Sequence, residues 1–194
     1  MPGKVQAPDH FEIGIDNYTP LPYLKNSEMK IGGYKSRQQY CWEVVQKPAL
    51  DSIPSGSTIL SATTDVKVVT YNSGGNAVDL EMRDQDKGAW SDDGASQPSR
   101  VDPSFFDETE EYATILTSEP IPASGSEGVT FTLSSTPELV AKVQGWLDGT
   151  IPNNGFLITY YPDYYAYWIT IDSVVYTIEY ESGSGARRRI TIIS

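Results

Sequence analysis

The chain is poor in the residues that carry out covalent and metal chemistry. Its 194 residues include one cysteine, one histidine and three methionines. With Cys41 alone, no internal disulfide can form. Cys41 stands beside Trp42 in a strand-like run with no histidine near it in the sequence, which favours a buried structural thiol over a nucleophile. His10 sits in a proline-rich N-terminal stretch, so a Ser-His-Asp site or a histidine-ligated zinc has little to draw on. No run of about 18 apolar residues occurs, and no helical membrane span is expected. The opening residues, MPGKVQAPDHFEIG, lack the apolar stretch of a secretory signal, so the chain is expected to be made in a cytoplasm and to reside there at first. Bases are scarce too: 14 against 26 acids, a net charge of −12. Such a surface repels nucleic-acid phosphates and anionic lipid, and neither is an expected partner.

What the chain does contain is strand-forming material arranged around one helix. In Ser135–Tyr161, Leu139, Val140, Val143, Trp146 and Leu147 share one helical face. Pro137 suits a first helical position, and Ser135 or Thr136 can cap the N–H groups behind it. Glu138 faces the positive end of the dipole, and Gly149 can take the left-handed residue that ends the helix. The spacing predicts a helix over about 136–147, then a turn at Asn153-Asn154-Gly155 and a strand over Phe156–Tyr161.

The remaining pattern alternates. Tyr40, Trp42 and Val44 share one face of a strand within 37–46. Ser57–Tyr71 is the longest alternating run, with Leu60, Ala62, Thr64, Val66 and Val68 on one side. After the turn at Asn72–Asn76, Val78, Leu80 and Met82 continue the pattern. Short strands are expected at Tyr112–Thr117 and Val129–Leu133, and further strands at Ala166–Ile171, Val174–Glu181 and Arg187–Ile193. Phe11–Ile15 reads as a short edge strand. Roughly eight to ten strands, one helix and no βαβ repeat predict an all-β fold, most simply a jelly-roll β-sandwich. The expected organisation is an extended N-terminal arm over 1–27, a sandwich domain over 28–181 and a C-terminal edge strand over 182–194. The arm reads either as a free terminus or as a segment that docks on a neighbour or closes the sheet.

Several segments, in order, resemble a known family. SIPSGSTILSATTDVKV at Ser52–Val68 is similar to the core-strand segment of DNRLRE-type domains, also called the disaggregatase-related family or carbohydrate-binding module family 96. Lys30–Val44, Gly88–Pro98, Glu138–Ile158 and Ser173–Tyr180 resemble further pieces of the same pattern, so the likeness spans about 28–181. It implies a non-catalytic jelly roll of the kind found on extracellular carbohydrate-active or surface proteins, and also in phage and other virion proteins. The chain departs from the usual setting, having neither a recognisable signal nor an attached catalytic module.

Three stretches are candidate sites. Tyr160–Trp168 is the richest in aromatics, and Tyr164, Tyr165, Tyr167 and Trp168 are candidate contacts for a glycan or a partner subunit, with core packing as the plainer role. Residues 79–111 hold a large share of the acids and only Arg83, Lys87 and Arg100 as bases. There Asp84, Asp86, Asp92 and Asp93 surround Trp90, a further candidate contact; these oxygens suit Ca²⁺, but the spacing is not that of an EF-hand, and no metal or cofactor is expected. Paired carboxylates could also serve a glycosidase, but nothing marks one of them with a raised pKa, so no catalytic residue is assigned. Arg187, Arg188 and Arg189 either contact the acidic region of a neighbouring copy or form the solvated start of an edge strand. The function expected from all this is a non-enzymatic structural protein of a phage or similar virion, a decoration, head-fibre or tail component. Its expected partners are other virion proteins or copies of itself. The alternative is a carbohydrate-binding module recognising a polysaccharide or host glycan.

Overall fold

The computed structural model describes residues 4–6, 10–16, 19–23, 29–35, 39–46, 48–72, 75–84, 114–160 and 167–193, with side-chain surroundings for 31, 48–71, 75–84, 114–160 and 169–192. In chain order the strands are β1 (Lys4–Gln6), β2 (His10–Asp16), β3 (Thr19–Tyr23), β4 (Met29–Lys35), β5 (Gln39–Gln46), β6 (Thr58–Asn72), β7 (Val78–Asp84), β8 (Ile115–Ile121) and β9 (Thr130–Leu133). Helix α1 (Pro137–Leu147) follows, then β10 (Phe156–Thr159), β11 (Tyr167–Glu181) and β12 (Arg187–Ile193). The fold is an all-β sandwich of two packed antiparallel sheets with one short helix.

One sheet is built on the long pair β6 and β11, with β9 on the far side of β6. Along its other side β11 carries two strands end to end, β4 beside 167–171 and β12 beside 175–181. The second sheet runs β3-β2-β5-β10-β7-β8. Strand β4 joins the two, because it pairs with β11 at one end and β5 at the other. Among the described residues every pairing is antiparallel except β1 with β12. One expectation changes here. β2 lies between β3 and β5 and is not an edge. Of the two readings of the 1–27 arm, the described strands follow the one in which it joins the sheets, β1 pairing in one and β2 and β3 in the other.

The core lies between the sheets. Val66, Val68, Ile169, Ile171, Val174, Tyr176 and Ile178 close it from one side, Leu80, Met82, Phe156 and Ile158 from the other. Burial of these side chains is the main favourable term in such a fold. Phase along the two long strands is kept by bulges. Val174, Tyr176 and Ile178 are buried at even positions, while Ile169 and Ile171 are buried at odd ones. Asp172 is the extra residue that resets the alternation, so the two short strands expected at 166–171 and 174–181 are one continuous strand. Its carboxylate meets the Lys67 ammonium at 2.8 Å on the neighbouring strand. Leu60 is the second departure from sequence phase. It is skipped in the pairing with β11, so Ile59 is buried at 4% exposure while Leu60 stands 37% exposed. Leu60 therefore leaves the inward face on which simple alternation put it.

Helix α1 closes one side of the sandwich. Thr136 caps it, its hydroxyl accepting from Leu139 N at 3.1 Å and donating to Leu116 O of β8 at 2.7 Å. Leu139, Val143 and Trp146 are buried, with Val140 and Leu147 packed beside them, as the periodicity predicts. Trp146 lies 4.5 Å from the Phe156 ring, and Phe156 stacks on Tyr176 at 5.9 Å. Gly149 has φ 68, the left-handed end expected of it, and Gly155 has φ 86 in the turn before β10. The helix also serves the sheet edge. β9 pairs β6 only over Thr64–Lys67. Beyond β9, Gln144 Oε1 accepts from Ile59 N at 2.8 Å and Ser135 Oγ accepts from Ala62 N at 3.0 Å. Gln144 Nε2 donates to Ser57 O at 3.1 Å. Side chains of the helix and of the residue just before its cap thus satisfy main-chain groups that no strand covers among the described residues, as buried main-chain groups require.

Candidate functional site

The site that the described residues build most fully is the hairpin end and outer edge of β12. Ser182–Ala186 make the turn: Ser182 N donates to Ala186 O at 3.0 Å, Gly185 N to Ser182 O at 2.7 Å, and Gly185 takes φ 79. This turn sets the register that places Arg187 opposite Glu181, Arg188 opposite Tyr180 and Arg189 opposite Glu179. All three arginines are exposed, whereas Ile190 and Ile192 further along β12 are buried. The strand therefore dips into the core at its far end and presents its basic start to solvent.

Arg189 and Glu179 form an ion pair, with Arg189 Nε donating to the Glu179 carboxylate at 2.9 Å. The hydrogen bond from Arg189, then its charge, with Arg187 adding more weakly, hold the Glu179 carboxyl below its ordinary value. Arg187 and Arg188 form no ion pair with any of the described residues. The outer face of the same sheet is polar in register. One row across the strands is Ser61, Glu179 and Arg189, and the next is Thr63, Thr177 and Thr191. Thr132 on β9 donates to Asp65 at 2.6 Å in the row after that.

The outer main-chain edge of β12 is divided. Over Thr191–Ile193 it is paired in parallel by Lys4–Gln6 of β1. Over Arg187–Ile190 it has no strand partner among the described residues.

The other sequence candidates fall differently. Tyr164, Tyr165 and Trp90 lie outside the described residues, as do Asp86, Asp92 and Asp93. Tyr167 and Trp168 open β11, where their backbones pair with Gly33 and Gly32 of β4 and that of Trp168 also pairs with Asn72 of β6; their side chains lie outside the described set. Asp84 is described, and its Oδ2 accepts from Lys142 of the helix at 2.6 Å, with both side chains about a fifth exposed. That carboxylate ties α1 to β7. Among the described residues no group of three or more His, Cys, Asp or Glu is placed to hold a metal. Arg83 and Glu81 form a second, more buried pair at 2.6 Å. No helix among the described residues is long and apolar enough to cross a membrane.

Sequence reasoning missed the edge-capping role of Gln144 and Ser135, which depends on where a distant strand stops. It also missed the Asp172 bulge. The signal for that one was present: buried-type residues change from odd to even positions across Ile171-Asp172-Ser173. No family model, no curated protein and no solved structure matches this chain.

Proposed function

We propose that this chain is a non-enzymatic structural protein of a phage or similar virion, a decoration, head-fibre or tail component that works through protein–protein contacts. The observation that carries the reading is the start of β12: three exposed arginines on a stretch of strand with no outer strand partner among the described residues, in a chain of net charge −12. An open edge is a ready template for another chain, and a basic one on an acidic protein has an electrostatic preference built in. The β-sandwich agrees in class with the resemblance noted in the sequence, whose members include virion proteins.

The test is copy number on native particles. Particles from the source material are purified, imaged and analysed by quantitative mass spectrometry for this chain. Many copies per particle at symmetry-related positions are expected. A chain recovered only free, and never with particles, refutes the reading.

A further inference from the structure

We propose that Asn154 is a deamidation site of this chain, held shut in the folded state by the side chain of Asn153. The inference is independent of the assembly reading above. No other asparagine of the chain is followed by glycine. Glycine has no Cβ to crowd its own nitrogen, so the Gly155 amide nitrogen can close on the side-chain carbonyl carbon of Asn154. The new C–N bond expels the Asn154 side-chain nitrogen, which leaves as ammonia with the proton lost from Gly155 N. Water then opens the cyclic imide at one of its two carbonyls and gives aspartate or iso-aspartate. Nothing is oxidised or reduced, and water is the one co-reactant.

The folded turn engages the groups that this reaction must free. Gly155 N donates to Asn153 Oδ1 at 3.2 Å, the bond of an asparagine that turns the chain around its own side chain. Asn153 Nδ2 in turn donates to Pro48 O at 2.9 Å, which ties the turn to a loop far back in the sequence. Asn154 N donates to Pro152 O at 3.1 Å, so the residue that carries the reacting carbonyl is held as well. Gly155 is buried and takes φ 86. The N–H that must be lost is therefore both hydrogen-bonded and screened from the water that would take its proton. Ring closure needs the turn to open first, so the folded rate is the open-state rate scaled by the fraction open. The product matters to the fold because the turn leads straight into β10. That strand lies between β5 and β7 and brings Phe156 against Trp146. Iso-aspartate inserts a main-chain carbon at this point, and either product adds a negative charge.

The test incubates the full chain and a synthetic peptide of the sequence Thr150–Thr159 side by side at neutral pH. Conversion of Asn154 is followed by peptide mapping and mass spectrometry. The peptide should convert, and the folded chain should convert at least tenfold more slowly. Asn153→Ala removes both side-chain bonds and should speed conversion in the full chain at least fivefold. Asn153→Asp keeps an acceptor for Gly155 N but loses the donor to Pro48 O, so its rate should fall between the two. Val66→Ala, a core truncation in β6, separates local opening from global loss of stability, and should leave the Asn154 rate within about twofold of the parent's. A peptide that does not convert overturns the site. A folded chain that converts as fast as the peptide overturns the protection. An Asn153→Ala rate equal to the parent's overturns the role of Asn153, and if that variant does not fold, an unchanged rate in Asn153→Asp does the same. Equal acceleration by Val66→Ala and Asn153→Ala overturns local control by the turn.

Discussion

Replacing Gln144 by alanine tests whether the helix is a working part of the sheet edge. In the native fold Gln144 accepts from Ile59 N at 2.8 Å and donates to Ser57 O at 3.1 Å and to Asp148 at 3.0 Å. The first two bonds satisfy main-chain groups of β6, or just before it, that β9 does not reach and no other described strand covers on that side. Each such bond contributes about 0.5–1.5 kcal/mol net. Gln144 is half-buried, so water reaches part of the site after truncation and the loss falls towards the lower end. The bond to Asp148 is exposed and adds little. We expect a destabilisation of about 1–2 kcal/mol, which for a chain of this length lowers Tm by about 2–8 °C. Urea unfolding followed by tryptophan fluorescence gives the free energy, and hydrogen exchange gives the location. The Ile59 amide should lose protection by a larger factor than amides at the β6–β11 centre. Gln144→Glu keeps the acceptor for Ile59 N but removes the donor to Ser57 O and sets a carboxylate near Asp148. It should therefore be destabilised at neutral pH and recover partly in acid. An alanine variant within about 0.3 kcal/mol of the parent, with Ile59 protection unchanged, would refute the view that α1 substitutes for a strand.

Gly145→Ala places a methyl 2.8 Å from Ile151 Cγ1 and 2.9 Å from its Cδ1, so thermal unfolding should show a loss despite the better helix former, and adding Ile151→Ala should return part of it. The Tyr176 hydroxyl is buried without a hydrogen-bond partner among the described residues, so Tyr176→Phe should leave stability within about 1 kcal/mol of the parent or raise it, as read by urea titration; a loss above about 2 kcal/mol would mean that the hydroxyl is satisfied after all. Burial pushes the Tyr160 and Tyr176 hydroxyls up from their ordinary range, with Tyr71 adding to the first. The unfolded chain then releases these protons first, so stability should fall as pH rises above about 10, and Tyr176→Phe should make that fall shallower in a pH series of melts. Glu179 has the opposite sign. Its pKa is lowered in the fold, so its contribution is present above the ordinary glutamate range of about 4.3 and is lost as pH drops through the folded value. Glu179→Gln should flatten the acid limb of Tm against pH, and a limb identical to the parent's would count against the Arg189 pair.

Much of the architecture was legible because it is governed by local periodicity. A strand buried on one face must alternate, and a packed helix must repeat near 3.6 residues, so β6, β11 and α1 announce themselves through Val66 and Val68, Tyr176 and Ile178, and Leu139, Val143 and Trp146. The helix ends were legible for the same reason: Thr136, Pro137 and Gly149 answer needs of the adjacent backbone. The site was only partly legible. Arg187–Arg189 could be picked out as a basic start to a strand, but nothing in their order tells that Arg189 faces Glu179 while Arg188 faces Tyr180.

Local pattern was therefore enough for the class of fold, the single helix with its buried face, and the acidic surface with one basic strand start. Three things came only with the folded arrangement: which strand lies beside which, where the skipped Leu60 resets the inward face of β6, and where side chains of a distant segment stand in for a strand partner. The physical reason is range. Propensity, capping and alternation act over a few residues, whereas register and edge exposure depend on hydrogen bonds between segments far apart in the chain, such as Ile59 with Gln144 and Thr191 with Lys4.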